Sequence, residues 1–139
     1  MAVAAADCPL CLNLDLPTFW CDGRLRVVSA ADADYPGFVR VIWDAHVREM
    51  TDLEPADQEH CLRVVFAVER ALRDTLRPDK INVASLGNQV PHVHWHVIPR
   101  FADDAHFPDP VWAARRRPGV AHAFDEAQFS ARLMRILGS

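Results

Sequence analysis

The 139-residue sequence lacks the features of a membrane, exported or general nucleic-acid-binding protein. No apolar run is long enough to cross a bilayer. The first residues, MAVAAAD, have neither the basic region nor the apolar core of an export signal. Basic residues do not dominate either: 15 Lys and Arg against 19 Asp and Glu give a formal net charge of −4, whereas general nucleic-acid-binding proteins carry a basic excess. We therefore expect a cytoplasmic protein with no membrane or nucleic-acid partner.

Common motifs for phosphate chemistry and for disulfide scaffolds are also missing. The sequence has no GxxxxGK[ST] loop and no carboxylate cluster suited to Mg²⁺, so phosphate chemistry would depend on other side chains and on backbone donors. Without an export signal, its four cysteines are better explained as thiols or metal ligands than as disulfides. Half of the residues are hydrophobic, which is enough for a single domain over residues 1–139, with 1–7 as a loose N-terminus.

The order of the predicted elements favours an α+β fold. Runs rich in β-branched and aromatic residues predict strands at 24–30, 38–43, 80–86 and 93–100, and a TFW segment before them is also extended. The Asp22-Gly23 pair is typical of a hairpin turn. Strands precede and follow one crossover helix, so we expect an antiparallel meander of about five strands rather than a doubly wound sheet.

Two helices and one irregular segment complete the prediction. Pro55 suits the first position of a long helix that ends before Pro78. One side of this helix is mostly apolar, and that side comprises Leu62, Val65, Phe66, Val68, Leu72 and Leu76. Residues 101–123, rich in Pro, Asp and Arg, predict a functional arm or a partner contact without regular structure. Asp125 can cap a final helix that Gly138 ends.

The segment PHVHWHVIPR, residues 91–100, carries three histidines at alternate positions: His92, His94 and His96. On a strand these side chains share one face, and the apolar residues between them share the other. Three interpretations are open. The strand carries histidines by chance, or His-x-His binds zinc or iron with a further ligand. In the third, one neutral imidazole is a nucleophile and its neighbour binds phosphate.

The segment 82–100, NVASLGNQVPHVHWHVIPR, resembles the histidine triad family. The family signature is His-φ-His-φ-His-φ-φ with φ apolar, and residues 92–98 match every position. The preceding Gly87-Asn88-Gln89-Val90 is similar to the family's Gly- and amide-bearing loop, and FPDPVW (107–112) is similar to the tail of a bacterial subgroup related to diadenosine polyphosphate hydrolases. The resemblance implies an α+β homodimer that hydrolyses or transfers nucleoside monophosphates from dinucleoside polyphosphates or phosphoramidates.

The same resemblance implies a role for each site residue. His94 would attack the α-phosphorus and form a nucleotidyl-imidazole intermediate that water resolves, with no cofactor required. His96 would bind a non-bridging phosphate oxygen. Contacts to phosphate or to the leaving group would come from Asn82, Asn88 and Gln89. Two alternatives remain: a metal-dependent hydrolase that uses the three histidines directly, and a nucleotide-binding regulatory protein with little turnover.

Cys8 and Cys11 form a C-x-x-C pair near the start of the chain. Alone, the pair is compatible with two free thiols, and a redox role would need a thioredoxin-like βαβ context that we do not find. Family members that carry such a pair use it with two histidines to hold a structural zinc. Here the resemblance implies His46 and His92 as the other ligands, in a Cys₂His₂ set that suits tetrahedral zinc.

Other positions bear on specificity. One family branch has a further histidine where this chain has Phe38, and the acidic residue that often holds the ribose has no clear counterpart, although Asp32 or Asp34 could substitute. Arg100 lies at the end of the triad segment and is, by proximity, better placed to meet phosphate than the basic run at residues 115–117. Trp112 suits a nucleotide lid or a subunit contact.

Overall fold

The computed structural model describes residues 6–12 and 16–138 and contains one five-stranded sheet. Its strands are β1 (Thr18–Cys21), β2 (Leu25–Ser29), β3 (Val39–Trp43), β4 (Lys80–Ala84) and β5 (His94–Arg100). Their spatial order is β1-β2-β3-β5-β4, and every neighbouring pair is antiparallel. The α+β prediction with five antiparallel strands is confirmed. The sheet is not a simple meander, because β5 lies between β3 and β4. Most of the predicted loose N-terminus, residues 1–5, lies outside the described residues.

Two helices cover one face of the sheet. Helix α1 (Pro55–Leu76) begins with proline at its first turn and ends at Arg77, whose φ of 51° breaks the helical path. Helix α2 (Glu126–Leu137) begins where the Asp125 carboxylate accepts a hydrogen bond from the Gln128 backbone N–H, as predicted. The two helices pack on each other and bury the main core against the sheet.

The period of two along each strand separates this core from the opposite face of the sheet, which we call the open face. Val39, Val41 and Trp43 of β3 point into the core, so the residues between them point to the open face. The N-terminal segment packs on this face, where Cys8 and Leu10 contact apolar strand residues. The arm 101–123 has no helix or strand, as predicted.

The apolar side of α1 is not entirely covered. Val65, Val68 and Leu72 are fully buried, but Phe66, which was predicted with the apolar side, is 58% exposed. Among the described residues, no helix is both long and apolar enough to span a membrane.

Candidate functional site

Two of the three triad histidines lie side by side on the open face. His94 and His96 belong to β5, and their ring centroids are 5.0 Å apart with planes at 81°. Trp95 and Val97, between and beside them, pack into the core on the opposite face. This anchoring fixes the strand that carries the two imidazoles, which are only 8% and 6% exposed.

Hydrogen bonding determines the tautomer of His94. Its Nδ1 lies 2.6 Å from the backbone carbonyl of His92. A carbonyl can only accept, so Nδ1 carries the proton and Nε2 keeps its lone pair. Ser85, which sequence analysis missed, donates its hydroxyl to the His94 carbonyl at 2.7 Å and ties the loop after β4 to the triad strand. The arrangement leaves Nε2 of His94 as a nucleophile or a ligand.

His96 is held in its neutral form. Burial, together with the nearby His94 and Arg40, lowers the pKa of His96 to about 4. Its Nδ1 is buried and has no hydrogen-bond partner among the described residues. Aromatic rings pack edge-on against it from two sides: Phe38 at 5.7 Å and Trp112 of the arm at 5.2 Å between centroids. At neutral pH, His96 can therefore offer a ligand a hydrogen bond but no net charge.

His92 departs from the other two histidines. It precedes β5 rather than belonging to it, so the prediction that all three histidines lie on one strand is wrong. Its Nε2 donates to the backbone carbonyl of Trp43, and Nδ1 of the ring approaches a different group of donors. That group comprises Sγ of Cys8, Sγ of Cys11 and Nδ1 of His46, and the four donor atoms all lie within 4.8 Å of one another.

The spacing of these four donors fits a tetrahedral zinc ion. Nδ1 of His46 and Nδ1 of His92 are 3.2 Å apart, and the sulfur-to-nitrogen distances to His92 are 3.5 Å from Cys11 and 3.6 Å from Cys8. Tetrahedral zinc bonds of about 2.3 Å to sulfur and 2.0 Å to nitrogen predict about 3.5 Å and 3.3 Å. The Trp43 carbonyl fixes the His92 tautomer that leaves Nδ1 unprotonated, as metal-bound imidazoles require. A structural zinc is therefore possible here.

A buried ion pair fastens the arm to the triad strand. Arg100 donates from Nε and Nη2 to both carboxylate oxygens of Asp104 at 2.8 and 3.0 Å. It also donates to the Asn82 side-chain oxygen at 2.8 Å and to the Asp109 carbonyl at 2.7 Å. Burial raises the pKa of Asp104, but the Arg100 hydrogen bond and backbone N–H donors outweigh it and hold that pKa far below its ordinary value. Arg100 is thus engaged internally and is not a free cation for phosphate.

The other predicted binding residues occupy different positions. Asn82 lies on the open face, paired with Ile98 two residues beyond His96, and its side-chain oxygen is occupied by Arg100. Its amide N–H groups remain as donors. Asn88 and Gln89 are exposed in the loop that leads into the triad segment. Their contact with a substrate remains a prediction.

Comparison with known proteins gives a consistent family assignment. The HIT domain family matches residues 18–103, more than half of the chain. No functionally curated protein matches significantly. A histidine triad protein from Bradyrhizobium japonicum is 32% identical, with 87% of this chain and 90% of that chain covered and a TM-score of 0.70. A histidine triad protein from Marinobacter aquaeolei is 29% identical, with 88% of this chain and 89% of that chain covered and a TM-score of 0.68. A Zn-bound histidine triad family protein from Mycobacterium smegmatis shares the fold at 23% identity, with 89% and 85% covered and a TM-score of 0.59. Members of this family bind nucleotides and are generally nucleotide hydrolases or transferases. The chain belongs to the HIT domain family.

Proposed function

We propose that the protein cleaves dinucleoside polyphosphates or nucleoside phosphoramidates at the α-phosphate, as in the bacterial subgroup related to diadenosine polyphosphate hydrolases. The observation that carries this proposal is the tautomer of His94. The hydrogen bond from its Nδ1 to the His92 carbonyl leaves the lone pair on Nε2, beside a neutral His96. The Nε2 lone pair forms the N–P bond while the bond from phosphorus to the leaving group breaks. The positive charge that develops on the ring is stabilised by the His92 carbonyl at Nδ1–H. Water then attacks phosphorus, the N–P bond breaks with its electron pair returning to Nε2 of His94, and the water proton passes to solvent as the nucleoside monophosphate is released.

The surrounding groups bind and position the phosphate and form no covalent bond to it. Phosphoryl transfer depends mainly on positioning and on donors around the equatorial oxygens. His96 donates a neutral N–H to a non-bridging oxygen. Asn82, through its amide, and Asn88 and Gln89, from the exposed loop, contact the phosphate or the leaving group.

A trapping experiment tests the covalent intermediate. A diadenosine polyphosphate labelled at the α-phosphate is mixed with the enzyme and quenched within milliseconds in alkaline detergent, because the P–N bond is labile in acid. We expect label on the denatured wild-type protein and none on His94→Ala. A regulatory nucleotide-binding protein would bind the substrate and leave both proteins unlabelled, which would exclude the proposed chemistry.

We further propose that Cys8, Cys11, His46 and His92 hold a structural zinc. The proposal is supported by donor spacing, by the His92 tautomer, and by the lowered pKa of His92, which burial chiefly causes and which keeps that imidazole neutral. A bound ion would join the N-terminal segment to the loop after β3 and to the start of the triad segment. It would stabilise the fold and support the His92 carbonyl, and it would make no bond to the reacting atoms.

The alternative of a metal-dependent hydrolase acting through all three histidines has less support. The donor cluster found among the described residues includes His92 but neither His94 nor His96. The proton on Nδ1 of His94 is committed to a carbonyl. Three imidazole nitrogens therefore do not converge on one point.

We also propose that two chains form a homodimer along β4. Within the described chain, β4 pairs only with β5, so one edge of this strand is free to pair with a second copy. Apolar side chains remain exposed on β4 and just beyond it, at Val83 (36%) and Leu86 (52%), and Phe66 of α1 is 58% exposed. Large exposed apolar side chains next to an open strand edge are typical of a subunit interface.

Substitution of Phe66 by glutamate is expected to shift the protein from dimer to monomer, because it places a charge in the proposed apolar interface. Light scattering coupled to size exclusion gives the mass directly. The matched control is Met134→Glu, since Met134 is a comparably exposed apolar residue, at 49%, on the other helix. A monomeric wild-type protein at tens of micromolar, or a dimer that survives Phe66→Glu unchanged, would rule out this interface.

A further inference from the structure

Arg40 is a cation on the open face that the sequence analysis did not single out. It lies on β3, and the strand register pairs it directly with His96 of β5. Directly opposed residues on an antiparallel pair place their side chains on the same face, about 5 Å apart at Cβ. Arg40 therefore lies next to His96, the imidazole that binds a non-bridging phosphate oxygen in the proposed function.

The guanidinium of Arg40 has no partner within residues 6–12 and 16–138. Its Nε is buried without a hydrogen-bond partner, and no described carboxylate lies within ion-pair distance of it. Asp32 acts on it only at longer range, while burial lowers the pKa of Arg40. A partly buried charge without a counter-ion costs stability.

The neighbouring arginines on the same face show the contrast. Arg26 of β2 donates to the Asp44 carboxylate at 2.9 Å and to the Leu10 carbonyl at 2.7 Å. Arg100 holds Asp104 with two hydrogen bonds. Of these three cations, Arg40 alone lacks a hydrogen bond or ion pair to a described residue, so its donors remain available to a ligand.

A nearby positive charge favours phosphate binding beside His96, and the strand register places the Arg40 cation there. A nucleotide phosphate is anionic, and charge-assisted hydrogen bonds hold it about twice as strongly as neutral ones. His96 is uncharged near neutral pH, and Phe38 on its flank has no donor. The guanidinium of Arg40 therefore adds a positive charge that neither His96 nor the Phe38 ring can supply.

We propose that Arg40 is a substrate-binding residue whose guanidinium pairs with an anionic phosphate oxygen of the nucleotide beside His96. This inference rests on the proposed function, since it assigns the charge that binds the phosphate of that substrate. It also explains why a partly buried cation is left unpaired: its counter-ion is the ligand.

The test compares binding of nucleoside monophosphates with binding of the matching nucleosides. AMP, GMP, adenosine and guanosine are titrated calorimetrically into the full-length wild-type protein, Arg40→Gln and Arg40→Lys. For Arg40→Gln we expect monophosphate affinity to fall about 10- to 100-fold, the range for loss of a charged hydrogen bond. Nucleoside affinity should stay within about twofold, because nucleosides lack the phosphate. Arg40→Lys should recover part of the monophosphate affinity.

The matched control is Arg135→Gln, which removes an exposed positive charge on α2 and should change neither affinity.

Thermal unfolding provides a second readout, because a structural role for Arg40 predicts that its replacement lowers the unfolding temperature. If Arg40 is unpaired in the free protein, Arg40→Gln and Arg40→Met should unfold at the same temperature as the wild type or at a higher one. Monophosphate binding by Arg40→Gln within about twofold of wild type would overturn the inference. So would an equal loss of nucleoside and monophosphate affinity, or a lowered unfolding temperature for both variants. A wild-type protein that binds AMP and GMP no better than the nucleosides would overturn it too. A folded wild-type protein that binds none of the four compounds would instead refute the proposed function, and the inference with it.

Discussion

Replacement of His94 by alanine is expected to reduce turnover of a diadenosine polyphosphate or an adenosine phosphoramidate by at least about a thousandfold. The substitution removes the only atom that forms the covalent bond, and loss of a nucleophile costs rates of this order or more. Steady-state assays on both substrates measure the effect. The fold should survive, because His94 points to the open face and its backbone bonds belong to β5.

His60→Ala is the matched control for this experiment. His60 lies on α1, on the other side of the sheet from the open face, and pairs with Asp22 between β1 and β2. It should retain turnover near the wild-type value when assayed below its unfolding temperature. Circular dichroism and thermal unfolding establish that both variants are folded. Wild-type turnover by folded His94→Ala would exclude His94 as the nucleophile, whatever the true substrate.

Local patterns were sufficient to predict the elements that carry the chemistry. The alternation in HVHWHV placed His94 and His96 on one strand face, because a period of two leaves few options. The long helix from Pro55 followed equally from its proline start and apolar spacing. Both outcomes depend on residues close together in sequence.

Features that depend on distant contacts could not be predicted in this way. The insertion of β5 between β3 and β4 is set by the crossover of α1 and the packing beneath it. Arg100 was expected to be an available cation, but Asp104 of the folded arm engages it. The alternation in FVRVIW separates Arg40 from its apolar neighbours, yet only the strand register shows that it stands opposite His96. Phe66 was grouped with the apolar side of α1 and is exposed, because helical periodicity does not show how much of that side other elements cover.

The second large effect is expected at the Cys/His cluster. Native wild-type protein, purified without chelator or metal affinity, should contain about one zinc per chain, and Cys11→Ser should contain less than about a tenth of that. Structural zinc sites of this type contribute apparent binding free energies of about 10–16 kcal/mol. Loss of even a third of such a contribution lowers the unfolding temperature by on the order of 10 °C for a chain of this size. Elemental analysis and thermal unfolding measure the two effects.

Cys21→Ser is the control for Cys11→Ser. Cys21 is exposed at the end of β1 and lies outside the donor cluster. This variant should keep both the zinc content and the unfolding temperature of the wild type. A wild-type protein with less than about a tenth of a zinc per chain, or a Cys11→Ser variant with undiminished zinc, would remove the site from the proposal.

Zinc removal also separates the two enzymatic hypotheses. The carbonyl that orients His94 belongs to His92, the residue that joins the triad segment to the cluster. Without zinc this carbonyl is held less firmly, so turnover by folded Cys11→Ser should fall by about tenfold, as for other losses of supporting contacts. The remaining turnover should still depend on His94, and the nucleotidyl label should still form. A hydrolase that needed the metal for its chemistry would lose all turnover and would never form the labelled intermediate.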